Sequence, residues 1–250
     1  MDIFSLRKKL ISFFAFVLFL FGCLPLHAQL SVGVEGGYNK NYLITNNANR
    51  AFTNYKPLSS FTIGIPVQYK IKDWFAIAAD PTFIQKNYRQ ERSAYFAGVY
   101  QDNYNGYVQL PVMGHFMFGG ERLKGFANAG LYAGYWVTAK IKGVMPNILD
   151  VVDNTTSTGT VYDYNHPYSY DEKYSFDNRK DNRWEIGWVA GLGASYEITD
   201  RFQVFAEGRL LYGFTDQQKK YEMNQVPRYN TTYGVNVGVL IHLTTTKNSY

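Results

Sequence analysis

From residue 184 to 198 the chain alternates without a break. Trp184, Ile186, Trp188, Ala190, Leu192, Ala194, Tyr196 and Ile198 share one parity, and Glu185, Gly187, Val189, Gly191, Gly193, Ser195 and Glu197 share the other. A period of two is the mark of a β-strand with two unlike faces. The pattern returns at 202–214, where Phe202, Val204, Ala206, Gly208, Leu210 and Tyr212 oppose Gln203, Glu207 and Arg209, and at 233–243, where Val235, Val237, Val239 and Ile241 oppose Asn236 and His242. It is also present at 61–69 and 108–118, and 30–43, 74–89 and 124–141 complete a set of eight. Each is long enough to meet the roughly 9–11 residues that a tilted strand needs to cross a bilayer. No segment after Leu30 keeps a helical period.

The connections alternate as well. Short ones lie at Lys72-Asp73, 119–122 and 199–201, and long ones at 45–57, 90–103, 143–183 and 216–228. The order long, short, long, short, long, short, long is that of an antiparallel up-and-down meander, with both chain ends on the short-turn side. Alternation alone does not say which face is inside, and three features decide it for a transmembrane barrel with apolar side chains toward lipid. The polar parity is rich in glycine and poor in Lys and Glu, as on the strand carrying Gly187, Gly191 and Gly193. Aromatic residues gather at both ends of the apolar face: Tyr69, Phe75, Phe118, Tyr196 and Phe202 by the short turns, and Tyr38, Phe83, Tyr104, Tyr135, Trp184, Phe214 and Tyr233 by the long loops. Such pairs of girdles mark two bilayer interfaces. Closure also removes the edges that a long apolar sheet would expose. The expected fold is an all-β, eight-stranded antiparallel up-and-down transmembrane β-barrel over 29–243, with a tail at 244–250.

Residues 1–28 read as a leader. Arg7, Lys8 and Lys9 precede an uncharged apolar run, and Ala28 ends it, which describes a secretory signal peptide cut before Gln29. Two other readings stay open: an uncleaved anchor, or a lipid carried on Cys23. Cys23 is the one cysteine, so cleavage leaves neither disulfides nor thiolate chemistry. The formal charge of +5 falls to +3 once the leader removes three basic residues and one acid, too little to call for a nucleic acid partner.

Tyr107, Val108, Gln109, Leu110 and Pro111, within YVQLPVMGHFMF, resemble the mid-barrel strand of the PorT-like outer-membrane β-barrel family of Bacteroidetes-type bacteria. The opening SVGVEGGYNKNYL is similar to that family's glycine-rich first strand. DPTFIQKN resembles its third, with Thr82 where members usually carry glutamate. The resemblance implies an eight-stranded, porin-like barrel in the outer membrane and assigns no activity.

Eight strands enclose a lumen that side chains just fill. The inward parity places Glu35, Asp80, Gln109, His115, Glu185, Glu197, Glu207 and Arg209 there, with Lys70, Lys86 and Lys140 nearer the ends. Buried charges need partners, and both signs are present. Glu207 and Arg209 are expected to pair with each other and with Glu185 or Glu197 across the adjacent strand. A narrow pore or small-ligand pocket among the same residues is the alternative.

The third long loop, 41 residues at 143–183, holds seven acids and five tyrosines, Tyr162, Tyr164, Tyr168, Tyr170 and Tyr174. A loop of that length is either functional or disordered, and tyrosines suit recognition because ring and hydroxyl both contribute. Its acids lack calcium-loop spacing. No nucleophile motif, HExxH or phosphate loop occurs, and the nearby Asp163 and His166 form no triad, so neither catalysis nor a cofactor or metal is expected. The expected partners are outer-membrane lipid and an extracellular ligand or protein reached by the loops. The alternatives are a narrow channel for small solutes and a soluble or lipid-anchored β-barrel binding protein.

Overall fold

The alternation closes into a ring. The computed structural model describes residues 29–45, 53–94, 97–147, 152–156, 159–163, 166–223 and 225–243. The expected leader with Cys23, the tail at 244–250 and Tyr164 lie outside these. The strands are β1 (Gln29–Ile44), β2 (Thr53–Pro57), β3 (Ser59–Gly64), β4 (Val67–Lys72), β5 (Phe75–Ala79), β6 (Thr82–Gln85), β7 (Tyr88–Arg92), β8 (Tyr100–Gly119), β9 (Leu123–Asn147), β10 (Val152–Thr156), β11 (Gly159–Asp163), β12 (His166–Lys173), β13 (Trp184–Glu197), β14 (Phe202–Gly213) and β15 (Tyr229–His242). Grouped by position they form eight staves: β1, β2 to β4, β5 to β7, β8, β9, β12 with β13, β14 and β15. Neighbours pair antiparallel throughout, and β15 returns to β1 from Ser31 opposite His242 to Ile44 opposite Tyr229. No helix among the described residues is long and apolar enough to cross a membrane; strands make the crossing.

The second and third staves are broken where proline interrupts the ladder, yet hydrogen bonding continues across the breaks. Gly33 N donates to Pro66 O at 2.9 Å, Ile65 N to Pro81 O at 3.0 Å and Asp80 N to Pro111 O at 3.0 Å. In three adjacent staves Pro66, Pro81 and Pro111 each offer a carbonyl to the stave before. Proline lacks the donor, so it interrupts one side of a ladder only. The 119–122 turn needs Gly119, whose φ of +120° is open to glycine and not to L side chains.

The faces are inverted relative to a water-soluble sheet. Leu192 is 69% exposed and Val237 58%, while Glu185 and Asn236 are each 3% exposed. An apolar wall with a polar interior is stable only where hydrocarbon is the solvent. Phe118, Tyr196 and Phe202 stand exposed at the short-turn end, and Tyr38, Trp184, Phe214 and Tyr233 at the other. Phe83 lies on the register row of Val108, Tyr135 and Trp184.

Two expectations are revised. A register shift places Tyr107 opposite Trp136 but Gly106 opposite Thr138, so Val137 is an extra residue in β9. A bulge of this kind reverses inside and outside beyond it. Before it Tyr132 and Trp136 share the buried parity; beyond it Ala139 is buried, and Lys140 points outward to Asp171 at 2.8 Å rather than into the lumen. The long loops are also shorter than their sequence pattern predicts. Strands β2, β7, β8, β9 and β12 continue past the girdle, and β12 pairs with β9 up to Asn147. The 90–103 and 143–183 segments are largely sheet because cross-strand pairing there overrides their polar, turn-rich composition.

Replacing Leu192 by Arg puts a charge on the lipid-facing wall near mid-strand, at a cost of about 2–4 kcal/mol. The expected outcome is a smaller fraction of protein that migrates as a compact species in unheated electrophoresis. The same replacement at Met223, which is fully exposed beyond the wall, should leave that fraction unchanged.

Candidate functional site

The lumen is built in levels. At the lower one Arg209 reaches inward from β14 and meets three carboxylates. Its Nη1 donates to Asp80 Oδ2 at 2.5 Å and Glu35 Oε1 at 3.1 Å, and its Nη2 to Glu207 Oε2 at 2.6 Å and Glu35 Oε2 at 3.3 Å. Asn236 Nδ2 donates to Glu35 Oε1 at 3.1 Å, Asn128 Nδ2 to Glu207 Oε1 at 2.9 Å, and His115 Nδ1 lies 2.7 Å from Asn128 Oδ1. One guanidinium therefore ties β1, β14 and the β5–β6 junction together, with amides extending the network to β8, β9 and β15. Gly191 makes room for it. A Cβ there would fall 1.9 Å from Glu207 Oε1, so only glycine lets that carboxylate lie across the neighbouring strand.

The upper level is centred on Lys86, which is fully buried. Its ammonium is hydrogen-bonded to Glu185 and lies over the rings of Tyr107 and Tyr132, 5.1 and 4.9 Å from their centroids. Glu185 also accepts from Tyr132 Oη at 2.6 Å and from Asn230 Nδ2 at 2.5 Å. Asn230 Oδ1 accepts in turn from Asn41 Nδ2 at 2.8 Å and Gln217 Nε2 at 3.1 Å. A buried ion pair is tolerable when its remaining hydrogen-bonding capacity is used, as here.

The expected partnership of Arg209 with Glu185 or Glu197 does not form. Arg209 lies opposite Gly191, and each of those acids is six residues away along β13, about 20 Å at strand rise. Glu185 serves the Lys86 level, and Glu197 pairs with Lys124 at 2.6 Å by the short turns. Lys70 pairs there with Asp73 at 3.0 Å, which holds that exposed carboxyl below its ordinary range. Gln109 is buried beside Thr82, its register partner. Sequence reasoning set Lys86 near a strand end, put Asn236 on the polar face without a partner, and passed over Tyr132, Asn128 and Asn230. The inner-face glycines were the available clue, because a Cβ on Gly187 would lie 2.6 Å from the Tyr132 ring.

Above Lys86 an aromatic stack closes the barrel. Tyr107, Trp136 and Tyr174 lie nearly parallel, with centroids 5.8 and 6.0 Å apart, and Phe176 meets Trp136 edge-on at 5.0 Å. Arg183 covers Phe176 and Tyr135 at 4.2 and 4.5 Å. Burial and a 2.9 Å hydrogen bond to Asp181 push the Tyr174 phenol well above its ordinary value. Among the described residues the expected loop tyrosines are placed apart. Tyr174 is part of this plug, Tyr170 donates to Gln101 Oε1 at 3.0 Å, Tyr168 is exposed on β12, and Tyr162 lies in the separate β10–β11 hairpin. A small pocket of about 80 Å³ remains at the mouth, among Gln101, Asn103, Asn105, Tyr174, Gln218 and Arg228. The void beside Arg209 is about 10 Å³, room for roughly one water. Among the described residues no group of three or more His, Cys, Asp or Glu is arranged to hold a metal.

Together, a closed antiparallel wall, a lipid-facing apolar exterior and a charged, filled lumen define an outer-membrane-type β-barrel. Residues 26–219 match the outer membrane protein beta-barrel domain family, and the chain belongs to that family. Among solved structures it is similar to Neisserial surface protein A (14% identity, 86% of this chain and 97% of that one, TM-score 0.43). It is similar also to OprG from Pseudomonas aeruginosa (9% identity, 86% and 96%, TM-score 0.47) and to Ail of Yersinia pestis (12% identity, 85% and 99%, TM-score 0.38). No curated protein matches the sequence.

Replacing Arg209 by Met leaves three buried carboxylates without their cation, a loss of about 3–5 kcal/mol by the usual cost of orphaning a buried charge. The temperature at which the compact electrophoretic species converts to the slow one should fall, while membrane permeability stays unchanged. An unaltered conversion temperature contradicts a structural role for the network.

Proposed function

We propose that this protein is a structural or surface-recognition protein of the outer membrane, non-catalytic, whose barrel anchors an extracellular rim. The supporting observation is the contrast between its two ends of function. The lumen is filled at the Arg209 level, the Lys86 level and the Trp136 stack, whereas β8, β9 and β12 carry the sheet beyond the outer girdle into solvent. A filled lumen favours anchoring over conduction, because a solute path would have to displace both buried cations from their acids. The rim offers exposed Tyr168, the β12 strand and the amide-lined mouth pocket as surfaces for an extracellular ligand or protein. Within the wider barrel family, the segment 107–111 supports kinship with the PorT-like group. The leader reading is part of the same proposal: secretion, removal of residues 1–28 and a mature chain that starts at Gln29, the first residue of β1.

Two measurements test it. Purified protein in planar bilayers should give a flat baseline; steady, stepwise conductance would return the reading to a narrow channel. Peptide mapping of protein from outer membranes should find Gln29 as the first residue, and a lipid-modified Cys23 would contradict the assigned cleavage.

A further inference from the structure

Lys40 is a cation on the lipid-facing side of the wall. It is exposed on β1, directly across from Tyr233 on β15 and Ser59 on β3, with Tyr38 and Tyr42 flanking it on its own strand. Lys56, Lys70, Lys124 and Lys140 each have a carboxylate partner, but among the described residues Lys40 is in no ion pair. Its depth explains how an outward charge is tolerated. Tyr38, Tyr42 and Tyr233 belong to the outer girdle, where a lipid-facing Lys costs about 0–1 kcal/mol, against about 2–4 at the bilayer midplane.

The surface around it is concave. Tyr38, Lys40, Tyr42, Ile44, Tyr233 and Val235 line a groove of about 650 Å³. Tyr42 and Tyr233 meet edge-on at 5.7 Å, and Tyr38 Oη lies 2.9 Å from Ser59 Oγ, so hydroxyl groups sit beside the ammonium. Further toward the midplane along the same β1–β15 seam lies an apolar trough of about 870 Å³, bounded by Val34, Ile63, Ile65, Val237 and Val239. Its floor is Gly36. A Cβ there would find nothing nearer than Thr62 O at 4.0 Å, so the missing side chain leaves a depression rather than relieving a clash. From Lys40 to Val34 is about 20 Å of strand, which at a tilt of about 40° spans about the 15 Å of one leaflet's hydrocarbon.

A lone ammonium with hydroxyls at headgroup depth, above a depression in an otherwise convex apolar wall, has the form of one lipid molecule. We propose that the β1–β15 seam holds a single phosphorylated lipid of the outer leaflet, with its phosphate on Lys40 and an acyl chain in the trough over Gly36. The charge selects the headgroup, because a phosphate accepts charge-assisted hydrogen bonds that a neutral hydroxyl does not. The trough selects a lipid over free phosphate.

The test uses the full chain in detergent micelles, native mass spectrometry, and two lipids that differ only at the head, dioleoylphosphatidic acid and dioleoylglycerol. One phosphatidic acid should be retained at about 10-fold lower concentration than dioleoylglycerol, the factor that one such hydrogen bond supplies. Lys40→Gln should abolish the difference, Lys40→Arg should keep it, and Lys140→Gln should not alter it. Gly36→Leu should weaken both lipids alike. Millimolar inorganic phosphate should not displace the bound lipid. Equal retention of both lipids by the natural chain, no effect of Lys40→Gln in protein that still shows the compact electrophoretic species, or displacement by inorganic phosphate would each overturn the proposal.

Discussion

Everything in this molecule follows from the absence of water around its wall. A backbone N–H or C=O in hydrocarbon has no partner except another strand, so the sheet has to close, and β15 closes it on β1 along fourteen register pairs. Once closed, the sheet has an inside that lipid cannot reach. Side chains that hydrocarbon rejects are directed there by parity, and the wall between the girdles keeps those it accepts. The interior of a soluble protein is apolar because its solvent is polar; here the solvent is apolar and the arrangement is reversed.

That reversal places charge in a confined space, and the two cation levels are how the space is made tolerable. Arg209 is met by three carboxylates and Lys86 by one carboxylate and two aromatic rings, in each case from several staves, so each works as a hub that fixes stave to stave from within. The excess of carboxylates around Arg209 is met by amides from Asn128 and Asn236 rather than by a second cation. Glycine on the inner face is the counterpart of this crowding. Gly187 and Gly191 yield their volume to Tyr132 and Glu207 on neighbouring strands, which is why polar parity and glycine content rise together. The result is a plug made of wall residues.

The parity, the number of staves and the order of long and short connections were legible because each is periodic and local. What was not legible depends on pairing between distant segments. The single extra residue at Val137 leaves no mark in composition, yet it sends Lys140 outside and Ala139 inside. Lys86 read as an end residue because the third stave appeared to stop at Arg89; β2 supplies a partner that carries it on to Arg92. The acids were placed on the correct face and Glu207 was matched rightly to Arg209, but Glu185 and Glu197 were matched wrongly, since parity reports direction and not height. Pro66, Pro81 and Pro111 would have argued against central strands had the alternation around them been weaker.

The central claim is the orientation of the wall, and it is measured most directly with nitroxide labels on single cysteines introduced in a chain carrying Cys23→Ser. Labels at Ile186 and Leu192 should collide readily with oxygen dissolved in the bilayer and poorly with a water-soluble nickel chelate. A label at Ser195, on the opposite parity, should be shielded from lipid-dissolved oxygen. The reverse pattern, with Ile186 and Leu192 shielded and Ser195 in contact with lipid, would contradict the account.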